Sequence, residues 1–354
     1  MNDKDIFPAL DRIADVILRL CLIMSWLMLA AFLVIAFSAR ARAEGISCGG
    51  RDLIAEMAKS DPVKLDALRK EAAETENGKG LLWKIEKPGV KPSYLFGTMH
   101  LTDPRVLKLS GAAEAAYQGA DTIVIETDEV LDSKAPLKVM ADTPDLMMFT
   151  NGQTLDKLIP KDKLETVKAA LSKRGISLAA VNRMQPWILT SMLAMPACEL
   201  ARKKEGTDFL DIKLAEEAKN SGKRIAGLET IKDQLSAMAS LPIQFHVDGL
   251  IETLALGPEL PDVFETMTVL YTQGDIGMIF PLMRSVSPDG IESGSNYAEF
   301  EEKMINTRNR TMAERAMPIV DEGNAFIAVG ALHLPGEQGL VSLLKHKGYT
   351  ITAQ

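Results

Sequence analysis

Gly97-Thr98-Met99-His100 and Gly330-Ala331-Leu332-His333 are two copies of one pattern, and together they use two of the four histidines in a chain of 354 residues. Each follows directly on a short apolar run that reads as a buried strand. Glu126 and Glu229 stand at the ends of two further runs of this kind. If those strands are parallel, their carboxyl ends open on one edge of the sheet, where α/β proteins bind their ligands, and His100, Glu126, Glu229 and His333 converge there. Two neutral imidazoles with one or two carboxylates suit Zn²⁺, Mn²⁺, Co²⁺ or Fe²⁺ and leave a position open for water. Taken singly, each residue has a plainer reading: a strand-end histidine caps backbone carbonyls, and an acidic strand end caps the next helix. Taken together, four titratable residues at four strand ends point to a site. Arg308, in Arg308-Asn309-Arg310 of the last long helix, reads either as part of a solvated face or as a clamp for an anion or a developing charge. His246, inside a helical run, and His346, beside a C-terminal lysine, read as structural or surface residues. Cys198 has no neighbouring histidine and is a poor nucleophile candidate. Phosphate-binding, dinucleotide-binding, nucleophile-elbow and His-Glu-x-x-His motifs are absent from the sequence.

The elements that must position these residues follow from patterning and punctuation. Leu81 to Glu86, Ser93 to Gly97, Asp121 to Glu126, Arg224 to Leu228, Ala325 to Gly330 and Tyr349 to Thr352 are the strand candidates. Ile123, Val124 and Ile125 are apolar without alternation, as in a strand covered on both faces. Pro104 to Tyr117 has helical periodicity. Upstream, Asp52 to Ala58 and Asp61-Pro62 to Ala73 read as two short helices, the second with an aspartate cap and proline in its first turn. From Ser133 to Glu205 the chain is helical in character, with helices over Lys161 to Lys173 and Trp187 to Lys203 started by Pro160 and Pro186. Thr207-Asp208 is expected to cap a helix that turns Phe209, Ile212, Ala215 and Ala218 to the core. Helices then run from Ile231 to about Val320, broken at Pro242, at Gly257 to Pro261 and at Ser287 to Gly294, and another covers Gly336 to Lys347. The fold class is therefore α/β, a central mostly parallel sheet with a large helical insertion. Residues 44–80 form a helical prefix and 81–354 the domain that carries the site.

Composition sets the outer bounds. With 47% hydrophobic and 25% charged residues there is enough apolar material for a core. The net charge of −8, without a basic block, argues against a nucleic-acid partner. Leu20 to Phe37 carries no charge over 18 residues, and Ala41-Arg42-Ala43 beyond it has the small-x-small spacing of a signal-peptidase site, with Glu44 as the new N-terminus. Residues 1–43 are thus expected to be a signal peptide, giving a periplasmic or secreted protein. The alternative is an anchor over 20–37, favoured by the acidic residues that offset Lys4, Arg12 and Arg19; only then would the chain contact a membrane. Cleavage would discard Cys21 and leave Cys48 and Cys198, a pair an oxidising compartment would use as one disulfide; two buried thiols are the alternative.

As an ordered set, several segments resemble the TraB/PrgY/GumN family, which includes the Tiki metalloproteases of animals. They are Leu82-Trp83-Lys84-Ile85, Tyr94-Leu95-Phe96-Gly97-Thr98-Met99-His100, Val124-Ile125-Glu126-Thr127-Asp128 and Gln185-Pro186-Trp187, followed by Gly206-Thr207-Asp208, Gly227-Leu228-Glu229-Thr230, Arg308-Asn309-Arg310 and Val329 to Gly336. The resemblance implies a fold similar to erythromycin esterase and ChaN and a metal-dependent hydrolase site; carried over, its ligands are His100, Glu126 and His333, with the metal unspecified. On that reading the chain is an exported hydrolase of a peptide or ester. Glu126 acts as third ligand or general base, Glu229 orients a ligand or takes the role Glu126 does not, and Arg308 assists. The alternative is a non-catalytic protein that holds haem, a metal or a peptide in the same crevice.

Overall fold

A computed structural model describes residues 48–286 and 294–354. The expected signal peptide or anchor with Cys21, and most of the break between Ser287 and Gly294, lie outside the described residues. Among those described, no helix is long and apolar enough to cross a membrane.

Six strands form one sheet: β1 (Leu82–Glu86), β2 (Ser93–Thr98), β3 (Thr122–Ile125), β4 (Arg224–Gly227), β5 (Ala325–Gly330) and β6 (Thr350–Ala353), in the order β4-β3-β5-β2-β1-β6. A short turn through Pro88 and Gly89 joins β1 to β2, and a connection that short can only make an antiparallel pair. The pairs β2·β5, β3·β5 and β3·β4 are parallel, because the chain between these strands returns through helices. All six strand candidates are present, and the sheet is mostly parallel as expected.

The alternation of side chains along the central strands builds a core on each face. Val124, Ile327 and Val329 face the helix Thr307–Glu322, packing with Met312, Ala316, Ile319 and Val320. Ile123, Ile125, Phe326 and Ala328 face the helices Gly111–Gly119 and Leu210–Asn220, meeting Ala113, Tyr117, Leu214 and Ala218. Burying each large aliphatic or aromatic side chain here contributes roughly 1.5–3 kcal/mol before entropy is set against it. A separate cluster holds the helical insertion together, with Phe149, Leu171, Leu189 and Leu193 packed on Val247 and Leu250.

Four expected helix limits are corrected: the helix expected from Pro104 runs over Gly111–Gly119, that expected from Gly336 over Leu340–His346, and two others change as follows. Asp208 does not cap its helix: Phe209 is the N-cap residue, and Leu210, Leu214, Ala215 and Ala218 are the buried positions. The later start frees Phe209 to lie beside the His100 ring, centroids 6.0 Å apart, with Lys203 Nζ 4.0 Å from its own ring centre. The single helix expected over Trp187 to Lys203 is two, Pro186–Ala194 and Ala197–Lys204. Pro196, without an N–H, cannot continue the first and stands as N-cap of the second.

The prefix helices Leu53–Ser60 and Pro62–Glu74 form as expected, capped by Asp52 and Asp61. Leu65 and Leu68 join Leu101, Val106, Leu270 and Ala331 in a cluster that lies under both Gly-x-x-His segments. Cys48 and Cys198 are bonded, with Cα atoms 5.3 Å apart, so the prefix is tied to the helix Ala197–Lys204. Glu199 of that helix accepts hydrogen bonds from the Thr102 amide at 2.7 Å and hydroxyl at 2.6 Å, which fixes the chain two residues beyond His100.

Candidate functional site

Register explains why four distant residues meet. Thr98 of β2 lies opposite Gly330 of β5, and Ile125 of β3 opposite Ala328 of β5 and Gly227 of β4. The residues that follow these ends, His100, Glu126 and the Ala331–His333 turn, therefore leave the sheet on one edge. There the structure brings His100, Glu126, Arg308 and His333 together in the wall of one cleft of about 330 Å³. Glu229 does not line this cleft; it stands behind Arg308.

The two glycines act by close approach rather than by an unusual turn. A Cβ on Gly97 would sit 3.0 Å from the Ala331 backbone, so only glycine lets the end of β2 pass the β5 turn. A Cβ on Gly330 would lie 3.1 Å from Glu126 Oε1, the oxygen that accepts the Gly330 amide hydrogen bond at 2.7 Å.

Glu126 is buried and fully engaged. Oε2 accepts from Arg308 at 2.7 Å and from Gln234 Nε2 at 2.9 Å. Burial alone would raise its pKa. The positive groups around it, with the Gly330 amide, outweigh burial and hold the carboxyl well below the usual carboxylate range. The Arg308 guanidinium bridges Glu126 and Glu229, reaching the latter from Nε at 3.1 Å and from its terminal nitrogen at 2.7 Å. The last turn before it, Glu302–Asn306, is a π-helix, a rare widening found often at functional sites. Met304 in this turn accepts a further bond from Arg308 through its carbonyl, at 3.3 Å.

His333 is 5% exposed, and burial pulls its pKa down to about 4, so the ring is neutral at physiological pH. Its tautomer follows from Asn309. The Asn309 amide nitrogen donates to the Gln338 carbonyl at 2.8 Å, which turns Oδ1 toward His333 Nδ1 at 2.7 Å. Nδ1 therefore carries the proton and Nε2 a lone pair. That lone pair faces Glu126 Oε1 at 3.7 Å, two acceptors opposed with no proton between them. The carboxylate and imidazole there have the donor chemistry of a divalent-metal site.

His100 is 56% exposed at its side chain. Burial of its inner edge would lower the pKa. Asp211, with Nε2 and Oδ2 3.5 Å apart and Glu126 beyond, outweighs this and raises it to about 9. Asp211 Oδ1 accepts from the Thr98 hydroxyl at 2.6 Å, while Oδ2 is buried without a hydrogen-bond partner. Among the described residues no group of three or more His, Cys, Asp or Glu is arranged to hold a metal ion.

Sequence reasoning missed Asp211, Asn309 and Gln234. Asp211 lies three residues past the Gly206-Thr207-Asp208 segment and Asn309 directly beside Arg308; the first could have been found by asking which acid of that helix faces the sheet edge. The remaining assignments need no partner at the site. His246 is buried with its Nε2 3.0 Å from the Met238 carbonyl, and His346 is exposed. Arg310 is exposed and pairs with Glu302, so the solvated-face reading describes it, while Arg308 takes the clamp position.

Residues 81–353 match the TraB/PrgY/gumN family. The chain is 25% identical to zebrafish metalloprotease TIKI2 over 317 residues, which is 76% of this chain and 60% of that protein. It is 23% identical to human metalloprotease TIKI1 over 321 residues, 76% of this chain and 61% of the relative. A bacterial relative, the uncharacterized protein YbaP of Shigella flexneri, is 25% identical over 265 residues, covering 74% of this chain and 90% of the relative. The match thus spans less than two thirds of the animal proteins' length. No solved structure matches the chain.

Proposed function

The chain belongs to the TraB/PrgY/gumN family, and on that premise we propose that it is an exported metal-dependent hydrolase of peptide or ester bonds, with His100, Glu126 and His333 as the residues that hold the metal. The observation that carries this reading is the neutral His333 Nε2 facing the ionised Glu126 Oε1 at 3.7 Å, a pair of acceptors that a cation would complete. The metalloprotease relatives support the same class of chemistry. A divalent ion bound there would acidify a water and polarise a carbonyl.

The chain's own residues divide the remaining work. Glu126, held ionised far below neutral pH, suits a ligand and is too weak a base to take a proton near pH 7. Asn309 keeps the His333 proton on Nδ1, so that Nε2 stays open. Arg308 holds the Glu126 and Glu229 carboxyl groups side by side and presents a guanidinium to the cleft wall. Asp211 orients His100 from the opposite wall. The Cys48–Cys198 disulfide supports export to an oxidising compartment.

Metal-stripped protein reconstituted with Zn²⁺, Mn²⁺, Co²⁺ or Fe²⁺ is expected to take up one ion and to hydrolyse a fluorogenic peptide pool with at least one of them. His100→Ala and His333→Ala should lose the metal and reduce turnover by orders of magnitude, whereas His246→Ala and His346→Ala should leave both unchanged. Equal metal content in the wild type and the His100→Ala, His333→Ala double variant refutes the proposal. Haem or peptide binding without metal-dependent turnover would assign the crevice to a binding protein.

A further inference from the structure

The cleft is chemically two-sided. Among the described residues that line it, ionisable side chains other than tyrosine are confined to His100, Glu126, Arg308 and His333. The charge of Arg308 is already matched by Glu126 and Glu229. The other polar groups are engaged from behind as well, Glu126 by Arg308, His333 by Asn309 and His100 by Asp211 at 3.5 Å, so a substrate carboxylate or ammonium beside the bond attacked would have to share a partner already in use. Facing this polar wall is an apolar one, built from Phe264, Met267, Met304, Phe300, Met99 and Leu332. These come from five separate places: the helix Leu260–Thr272, the end of the helix Gly294–Glu301, the π-turn, and the two Gly-x-x-His segments.

The apolar wall is held from behind. Phe300 stacks on Phe245, centroids 5.8 Å apart. Met99, Phe264, Met267 and Leu332 rest on the Leu65, Leu101, Leu270 and Ala331 cluster while staying partly open to the cleft. Methionine side chains are unbranched and adapt their shape, so three of them around one cavity make a pocket that accepts several apolar groups without fitting one alone. A cavity of about 330 Å³ is at the small end for ligand pockets and takes one large side chain with its flanking backbone.

We infer that the substrate is an internal peptide segment with a bulky, flexible apolar residue, of the leucine, methionine or phenylalanine type, beside the bond to be cleaved, and that the Met99, Met267, Met304, Phe264 and Phe300 wall is the subsite for that residue. The inference rests on the hydrolase reading above and adds the substrate class. A charged residue at this position would lose its hydration against the apolar wall and gain no partner that is not already in use.

Blocked peptides acetyl-Ala-X-Ala-amide, with X as Leu, Met, Phe, Asp or Lys, and octanoylglycinamide as an acyl-chain probe, can be titrated into the metal-free full chain carrying ¹³C-methyl methionine. Peptides with Leu, Met or Phe are expected to bind roughly tenfold or more tightly than those with Asp or Lys, and to shift the methyl signals of Met99, Met267 and Met304. Met267→Lys, which places a cation in a partly open position, should abolish that preference; Phe264→Ala should weaken it while leaving Met267 in place. Equal binding of all five peptides, or shifts confined to other methionines, overturns the inference. Tighter binding of octanoylglycinamide than of every peptide also overturns it, by assigning the wall to an acyl chain. Hydrolysis with metal but without preference for apolar X sinks the subsite and leaves the hydrolase standing. Apolar-selective binding with no hydrolysis under any of the four metals sinks the hydrolase and leaves the wall as a peptide-binding groove.

Discussion

The two Gly-x-x-His segments share a pattern, a strand end and a cleft, yet their histidines live in opposite environments. His333 is 5% exposed, neutral, and shifted down to about 4; His100 is 56% exposed, beside a carboxylate, and shifted up to about 9. The local sequence sets only the backbone course of each. What separates them is the partner supplied by a distant helix: the amide of Asn309, fixed by Gln338, on one side, and the carboxyl group of Asp211, fixed by Thr98, on the other. An amide preserves a neutral ring ready to accept a cation, whereas a carboxylate stores a proton on the ring. A metal that binds both histidines must then expel a proton from the His100 side alone.

The comparison breaks most severely at Arg308, whose hydrogen bonds to side chains go to Glu126 and Glu229. Arg308→Met leaves Glu126 and Glu229 buried and facing each other without their shared cation. Unfolding in denaturant is expected to show a loss of about 3–5 kcal/mol. A loss below about 1 kcal/mol would mean that the guanidinium is not what keeps the two carboxylates together.

A smaller change sharpens the same side. Asn309→Ala removes the acceptor of the His333 Nδ1 proton and leaves a buried donor unsatisfied, at a cost of about 1–3 kcal/mol. The more telling readout is the tautomer. Nitrogen chemical shifts of His333 should report a proton on Nδ1 in the wild type and a mixture in the variant, and an unchanged single tautomer would remove Asn309 from the account.

Much of this was legible beforehand, for reasons that also mark where legibility stops. The six strands could be read because each is a short apolar run between glycine, proline and polar punctuation, and Ile123-Val124-Ile125 is covered on both faces. The convergence of His100, Glu126 and His333 followed from parallel strands alone, since strand ends share an edge whatever packs around them. Asp211 could be reached only by asking which acid of its helix faces the sheet edge, because a first-turn acid looks alike on any helix; the fold then puts its Oδ2, buried and without a hydrogen bond, 3.5 Å from His100 Nε2. The π-turn before Arg308 was equally hidden: it adds no residue type to the pattern, yet it turns Met304 and Arg308 into the same cleft. Patterns of residue type report the course of the backbone, and the protonation states that decide chemistry come from contacts far away in sequence.

Asp211→Asn tests that division directly, through titration and through the pH dependence of stability. In the metal-free protein the His100 midpoint, followed by NMR, should fall from about 9 toward its ordinary value near 6.5, while that of His333 stays near 4. The consequence for stability has a definite sign. A histidine whose folded pKa lies above its unfolded value stabilises the fold fully below pH 6.5 and loses that contribution as pH rises toward 9. His333 behaves in the opposite way: its folded pKa is depressed, so the fold is penalised as pH falls from 6.5 through 4, where the unfolded ring gains a proton that the buried one refuses. Wild-type stability should therefore decline on both sides of pH 6.5. The asparagine variant should flatten the alkaline limb and leave the acid limb as it was, and an alkaline limb that survives the substitution would mean that Asp211 does not hold the proton on His100.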